Sequence, residues 1–313
     1  MRSSERLAFS RYWTPKYWPT WFVLGLLRLC CLLPHRRRLG IGFLIGRLGH
    51  RLAAKRRGIA RRNIELCFPE LSVTERNDLA LRHFEALGAS FIEMGVGRWG
   101  SEDELLRLTK VEGAEHIENA GKDGKGFILL SAHFSTLEIS GCALSKVCPP
   151  FDVVYRRFRN DLLTDLLRTT RQRSARNAIE KNDIKSMVRS LRDGVPVWYA
   201  PDQSYNRKQS ALLPFFGVPS MTNTATGTLA KLGRAAAVPF FPRRLDDGTY
   251  VLTILPALED FPSGDAEKDT MKYVEVLEQH IRLAPEQYYW VHRKFKNRPD
   301  DLAEVYAALD TLK

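Results

Sequence analysis

The chain has 313 residues, 44% apolar and 27% charged. That is enough to bury one large α/β core or two smaller ones, and too apolar for a disordered tail. Its cysteines (Cys30, Cys31, Cys67, Cys142 and Cys148) show no paired C-x-x-C spacing, which argues against a zinc ribbon and a dense disulfide scaffold. No run reaches about 18 uncharged apolar residues, which excludes a polytopic membrane protein.

The net charge of +12 is confined to one end. Residues 1–64 hold 15 Lys/Arg and one acid, Glu5, a balance of +14, whereas the rest of the chain holds 33 basic and 35 acidic groups. A body that grips nucleic acid is not built this way, and no nucleic-acid partner is expected. A globular domain carrying a basic anchor is.

The N-terminal segment reads as that anchor. Tyr12, Trp13, Tyr17, Trp18 and Trp21 cluster beside Arg11 and Lys16, and Trp and Tyr favour the headgroup zone because they are apolar at one end and polar at the other. The stretch 17–33 is apolar apart from Gly25, Arg28 and a few small or polar residues, and is followed by Pro34 and the run Arg36-Arg37-Arg38. Such cations are drawn to anionic lipid by about 1 kcal/mol each. As a helix the stretch measures roughly 25 Å, short for a span, and Arg28 must snorkel or pair. Residues 41–62 continue with Leu44, Leu48 and Leu52 four apart, the pattern of a helix lying in the interface. A signal peptide fits less well, because Arg28 interrupts the apolar run and no small-residue cleavage site precedes the Arg cluster. The expected organisation is an N-terminal helical membrane anchor, 1–64, followed by a domain, 65–313. If the Arg cluster stays on the positive-inside side, the body is cytoplasmic.

The body alternates helix and strand. Ser72-Val-Thr-Glu75 is a capping box opening a helix to about Gly97, and another short helix opens at Ser101. No strong strand is expected before residue 120. Buried strands then follow at 124–132, 151–155, 195–200, 236–241 and 250–255, separated by helices near 136–147, 160–176, 183–193, 223–233 and 266–283. This predicts an α/β fold with a mostly parallel central sheet flanked by helices.

In such sheets the site lies beyond the carboxyl ends of the strands. The polar residues expected there are His133, Arg156 with Arg157, Asp202 with Gln203, and Arg243 with Arg244. His133 and Glu138 are five apart. On one continuous helix they would not share a face. They pair if His133 ends a strand and Glu138 lies in the first turn of the next helix, capped by Ser135 or Thr136. The carboxylate would then fix the imidazole tautomer while the other ring nitrogen takes a proton from a substrate hydroxyl. No G-x-S-x-G elbow is present, so direct attack by an activated alcohol is simpler than an acyl-enzyme. The H-x4-E spacing alone is short enough to arise in any loop; its place among the other strand-end groups is what favours chemistry. Thr224, in Thr222-Asn-Thr-Ala-Thr226, begins a helix and offers backbone N–H groups to an anion, with ordinary capping as the plain alternative. Leu212–Gly217 lines an acyl channel or simply fills core. Arg168, Arg171, Arg173 and Arg176 form either a solvated helix face or a landing patch for an acidic protein. His292, in an aromatic C-terminal helix, reads as a packed histidine.

These motifs resemble the bacterial lipid A late acyltransferases, the lauroyl and myristoyl transferases of lipid A biosynthesis, over nearly the whole length. The resemblance is carried by Arg61-Arg-Asn-Ile-Glu-Leu-Cys-Phe-Pro-Glu70, His133 with Glu138, Val154-Tyr-Arg156, Val197-Trp-Tyr-Ala-Pro-Asp-Gln203, Val238-Pro-Phe-Phe-Pro-Arg-Arg244 and the block from Ala284 to Lys296. The H-x4-E motif alone is shared with glycerolipid acyltransferases, which usually carry Asp at its last position. The resemblance implies a glycerolipid-acyltransferase-like fold. It also implies transfer of a fatty acyl chain from acyl carrier protein to a 3-hydroxyacyl hydroxyl of a Kdo-bearing lipid A precursor, at the cytoplasmic face of the inner membrane. His133 and Glu138 become the catalytic dyad by that carry-over, and Arg156 and Asp202 match further family positions. Gln203-Ser-Tyr and Arg293-Lys-Phe depart from the pattern and leave acceptor and chain specificity open. The expected partners are acyl carrier protein, the anionic lipid A precursor and inner-membrane lipids, with no cofactor and no metal. A precursor bearing phosphates and sugar-acid carboxylates needs cations at the site mouth, the role expected of Arg156 and Arg243, while Asp202 orients Arg156 or a substrate hydroxyl. The competing readings are a glycerolipid or phosphatidylinositol-mannoside acyltransferase and a non-enzymatic module that binds anionic lipid.

Overall fold

The computed structural model describes residues 9–206 and 208–309; the outer ends of the two expected segments, 1–8 and 310–313, lie outside the described residues. In chain order the elements are α1 (Trp18–Cys30), α2 (His35–Leu52), α3 (Ala54–Cys67), α4 (Val73–Trp99), α5 (Glu102–Leu108), β1 (Thr109–Glu112), α6 (Glu115–Gly121), β2 (Ile128–Leu130), α7 (Leu137–Val147), β3 (Asp152–Tyr155), α8 (Asp161–Arg171), β4 (Asn177–Glu180), α9 (Ile184–Arg192), β5 (Val197–Tyr199), β6 (Ser210–Phe215), β7 (Val218–Asn223), α10 (Ala225–Gly233), β8 (Ala237–Arg244), β9 (Tyr250–Ile254) and α11 (Ala266–Leu283).

Seven strands form the central sheet in the order β1-β9-β8-β2-β5-β3-β4, and β6 and β7 form a separate hairpin. All neighbouring pairs in the large sheet are parallel except β8 with β9. The expected mostly parallel sheet flanked by helices is therefore present. Side chains alternate across β2. Ile128 and Leu130 enter one core with Met187 and Leu191 of α9, Leu229 of α10 and Tyr273 and Leu277 of α11. Phe127 and Leu129 enter the other with Ile117 of α6 and Leu144 of α7. A strand covered on both faces must be apolar throughout, which is why β2 reads as a continuous apolar run.

Two strands were not foreseen at the sheet margins. β1 alternates half-buried and exposed residues, and β4 opens on an exposed Asn177. Both are edge strands with one polar side, so neither carries a continuous apolar signature. The stretch Leu212–Gly217, expected to line an acyl channel or fill core, falls in β6 and the turn after it, with Leu213 and Phe215 buried.

The N-terminal helical membrane anchor finds no support in a spanning helix. No described helix is long and apolar enough to cross a membrane. The stretch 17–33 yields only the 13 residues of α1, roughly 20 Å. The Arg cluster is also divided: Arg36 and Arg37 are exposed, but Arg38 is buried and ion-pairs with Glu104. Tyr12 and Tyr17 are buried with Leu162 and Leu166 of α8, which leaves Trp13 and Trp18 as the exposed aromatics. α2 lies against α4 at a very close crossing. A Cβ at Gly46 would strike the Phe84 carbonyl, and one at Gly88 would strike the Gly42 carbonyl. α3 contributes Ile59, Ala60 and Ile64 to the main core.

The capping box opens α4 as expected: Ser72 N donates to Glu75 Oε2 at 2.7 Å and Glu75 N to Ser72 Oγ at 3.3 Å. The expected C-terminal helix around His292 is absent. Residues 288–296 run as an irregular strap, bridged at Tyr288 to Phe134. This segment is tied to the turn after β2 by Ser135 N to Gln287 O at 2.7 Å and Tyr289 N to His133 O at 3.1 Å.

Candidate active site

The five parallel strands β8, β2, β5, β3 and β4 end on one edge, which gathers His133 after β2, Asp202 after β5 and Arg156 after β3. The central observation concerns the first two. His133 Nδ1 and Asp202 Oδ1 are 2.6 Å apart, and His133 N donates to Asp202 Oδ2 at 3.2 Å. One carboxylate therefore grips both the ring and the backbone of His133. The Asp202 side chain is inaccessible, while that of His133 is 36% exposed. Nδ1 is thereby occupied and Nε2 is the nitrogen left for chemistry.

Asp202 is further held by buried groups of the C-terminal strap. Lys294 Nζ donates to the Asp202 carbonyl at 2.7 Å and lies 4.4 Å from the Phe215 ring centroid. The Tyr288 hydroxyl hydrogen-bonds to Asp202. Burial alone would raise the Asp202 pKa, but His133 and then Lys294 outweigh it and hold the carboxyl at about 2. Burial pushes Lys294 in the opposite sense, down to about 8, against the pull of Asp202. His292 is driven down to about 4, first by burial and then by Lys296.

Glu138 does not partner His133, which corrects the expected pairing. It lies in the first turn of α7 as foreseen, but its carboxylate is clamped by Arg171 of α8: Nε reaches Oε2 at 3.2 Å and Nη2 meets Oε1. Arg171 Nη1 also donates to the Val154 carbonyl of β3 at 3.0 Å. This three-way contact fixes the start of α7, and hence the turn after His133, relative to β3 and α8. The basic run is therefore neither wholly a solvated face nor wholly a landing patch. Arg171 is structural, and Arg176 pairs with the buried Asp152 at 2.7 Å.

The remaining expected residues fall as follows. Arg156 is exposed at the strand edge, and its charge, after burial, helps to lower the pKa of Lys296 in the strap. Asp202 thus orients His133 rather than Arg156, a second correction. Arg243 is half-buried near the end of β8 and interacts electrostatically with His280, while its neighbour Arg244 is buried in an ion pair with Glu93. Thr224 is buried at the start of α10 and its side chain makes no capping bond. The adjacent Asn223 Nδ2 donates to the Tyr199 hydroxyl at 2.9 Å. Lys294, Tyr288 and Arg171 were missed as site residues. Only the clustering of aromatic and basic types in 284–296 signalled the first two.

A small enclosed cavity of about 30 Å³ lies between α7 and α8, lined by Glu138, Arg171, Gly141, Cys142, Phe151 and Trp198 among others. It has room for about one water, so no acyl chain fits there without side-chain movement. A larger open groove of about 680 Å³ involves Lys125, Lys231 and Arg234. It lies at the amino-terminal ends of β2 and β8, away from His133. Among the described residues, no group of three or more His, Cys, Asp or Glu is placed to hold a metal ion.

A buried carboxylate on one nitrogen of a half-open imidazole, at a cation-bearing edge, is an arrangement for general-base catalysis on a hydroxyl beside an anionic group. Comparison with known proteins gives the family. The family profile described as bacterial lipid A biosynthesis acyltransferase matches residues 9–297. The chain is 38% identical over 294 residues to the lipid A biosynthesis lauroyltransferase of Escherichia coli K12, covering 93% of this chain and 96% of that protein. It is 35% identical over 302 residues to the palmitoleoyltransferase of the same strain, covering 95% and 98%. It is 34% identical over 295 residues to a lipid A biosynthesis acyltransferase of Haemophilus influenzae, covering 92% and 93%.

Proposed function

Since the chain belongs to the bacterial lipid A biosynthesis acyltransferase family and is an acyltransferase, we propose that it moves a fatty acyl chain from acyl carrier protein to a 3-hydroxyacyl hydroxyl of a Kdo-bearing lipid A precursor. His133 acts as general base, and Asp202 rather than Glu138 is its carboxylate partner. The observation that carries this reading is the 2.6 Å contact between His133 Nδ1 and the buried Asp202.

The step follows from that contact. Nε2 takes the proton of the acceptor hydroxyl while the oxygen attacks the thioester carbonyl carbon. The positive charge arising on the imidazole is stabilised by Asp202. The carbon–sulfur bond then breaks, an ester remains on the acceptor, and the departing thiolate receives the proton from His133. No cofactor enters this scheme. Glu138 and Arg171 hold the turn that carries His133. Arg156, with Lys296 beside it, meets a phosphate or carboxylate of the acceptor, and cations suit such groups. Arg243 and the α10 start at Thr224 stand further along the same edge as secondary contacts. The exposed Arg157 and Arg159 suit an acidic carrier protein. The protein works at the cytoplasmic face of the inner membrane, where such an acceptor resides.

The test is mass spectrometry of lipid A from cells lacking this chain, complemented with wild type or His133→Ala. Wild type restores one secondary acyl group and His133→Ala does not. Restoration by His133→Ala would reject the proposed base.

A further inference from the structure

We propose that Lys294 is a positioning residue for acyl transfer: from the C-terminal strap, with Tyr288, it holds the Asp202 loop in place and offsets the carboxylate charge that the His133 imidazole would otherwise face alone. The proposal rests on the preceding reading in one respect, that His133 is the base.

The geometry comes first. Asp202 lies in the irregular loop after β5, where no strand pairing fixes it. Lys294 Nζ donates to its carbonyl at 2.7 Å and the Tyr288 hydroxyl hydrogen-bonds to it. Two side chains six residues apart on the strap thus converge on one residue. Two positions beyond Asp202, Ser204 Oγ donates to the Lys296 carbonyl at 3.1 Å. The strap itself is nailed down. Asn63 Nδ2 of α3 donates to the Trp290 and His292 carbonyls at 2.6 and 2.7 Å. Arg56 Nη1 donates to the Val291 carbonyl at 3.2 Å, and Ser220 Oγ of β7 to the Lys294 carbonyl at 3.2 Å. The same segment holds the turn after β2 through Gln287 and Tyr289. One braced stretch of backbone therefore sets the separation of imidazole and carboxylate.

Charge is the second observation. Asp202, Tyr288 and Lys294 are each at most 3% exposed. Burying an ammonium is costly unless it is paired, and a methionine would fill the same space. Other groups that face Lys294 are neutral or already engaged. Glu278 of α11 accepts from Phe216 N at 2.6 Å and pairs with Arg282 at 3.6 Å. Burial holds the Cys67 thiol of α3 and the Tyr273 hydroxyl of α11 far above their ordinary values, so both stay uncharged. His292 on the strap, at about 4, is neutral as well. Phe215 of β6 offers only a ring face, at 4.4 Å. Burial lowers Lys294 to about 8, and Asp202 supplies the largest opposing pull. A buried cation set against a carboxylate that grips a reactive imidazole is placed for function.

The consequence has a definite sign. At about 8, Lys294 stays protonated through the range where an imidazole ordinarily titrates, about 6.5. Across that range Lys294 and Asp202 oppose each other beside His133, which also faces the Tyr289 ring at 6.5 Å and the neutral His292. Removing the ammonium leaves the carboxylate uncompensated. That favours the imidazolium, so the proton leaves Nε2 only at higher pH.

The test uses the purified full chain and two readouts. One is the pH profile of kcat/KM for acyl transfer. The other is the titration midpoint of the His133 ring by NMR of ¹⁵N-histidine protein, the signal being assigned by its loss in His133→Ala. In Lys294→Met, kcat should fall about tenfold or more with the acceptor KM within about threefold, because displaced reacting groups cost rate rather than binding. The acid limb and the NMR midpoint should both move up by about half a unit or more. Lys294→Arg keeps the charge and should hold the midpoint within about 0.2 unit of wild type. Should Lys294→Met unfold, Tyr288→Phe carries the test and must move the midpoint in the same direction by at least about 0.2 unit. The proposal is overturned if a folded variant loses activity or melting temperature while the midpoint stays where it was, since that is what a merely structural residue would do. It is equally overturned if the midpoint moves down, or if Lys294→Arg shifts it as far as Lys294→Met does. A midpoint that moves as stated in a protein that transfers no acyl chain would instead count against the enzymatic reading and leave the Lys294–Asp202–His133 coupling standing.

Discussion

Replacing Asp202 by Asn separates the two carboxylates near His133. Asp202 is fully buried and its carboxyl sits near 2 instead of 3.8. That is roughly 2 kcal/mol of preference for the ionised form in this setting. Asn keeps the size and loses the charge. Its amide cannot stabilise an imidazolium and can present a donor to Nδ1, which favours the wrong tautomer. Loss of a buried carboxylate that orients a catalytic imidazole costs on the order of 10³–10⁴ in kcat. Asp202→Asn should therefore lose that much in acyl transfer, with the acceptor KM within about threefold of wild type. In a His133→Ala background it should cost almost nothing more, because groups that act through one another are not additive. Glu138→Gln should behave differently: it leaves Arg171 without its counter-charge, so activity and thermal midpoint fall together. Steady-state kinetics on the single and double variants, with circular dichroism melts, make the comparison. Activity of Asp202→Asn within tenfold of wild type, or an effect that adds in full to that of His133→Ala, would rule out Asp202 as the partner of His133.

Further expectations follow from packing and burial. Gly46→Leu drives a side chain into the backbone at Phe84 and should destabilise by about 3 kcal/mol or more, read as a lower melting temperature. Glu93 accepts from both Arg244 and the Tyr250 hydroxyl in a buried network. Glu93→Gln should cost about 3–5 kcal/mol by stranding the Arg244 charge, measured by urea denaturation. Lys294 is pushed down to about 8 from 10.5. The unfolded chain therefore holds more protons between pH 8 and 10.5, and this group's contribution to stability rises across that window by up to about 3 kcal/mol. The difference in urea midpoint between wild type and Lys294→Met should widen in wild type's favour over that range; a constant difference would contradict the buried cation.

Much of this architecture was legible because burial on both faces writes itself into sequence. The runs at β2, β5 and β8 are continuously apolar, and the polar residues that follow them mark the edge where His133 and Asp202 meet. β1 and β4 left no such mark, since edge strands keep one polar side. The His133–Asp202 pair spans 69 positions. No local spacing encodes it, whereas Glu138, only five residues on, offered a near but misleading partner. Arg171 looked like one more cation on a helix face. Only the packing of α8 against β3 and α7 shows that it binds Glu138. The segment 17–33 has the apolar composition of an anchor, but Trp18–Cys30 is all that becomes α1, and its burial on α4 was not visible in composition. The aromatic segment around His292 reads as a C-terminal helix, yet residues 288–296 form an irregular strap. Its backbone instead bonds to the His133 loop, a use that no helical periodicity could signal.

Acyl transfer to a lipid A precursor should depend on His133 acting as a base held by Asp202. The most direct measurement incubates purified wild type, His133→Ala and Asp202→Asn with acyl carrier protein thioester and Kdo-bearing precursor, followed by mass spectrometry. One added acyl group is expected with wild type, none with His133→Ala, and at most a thousandth of the wild-type rate with Asp202→Asn. Undiminished acylation by either variant would contradict it.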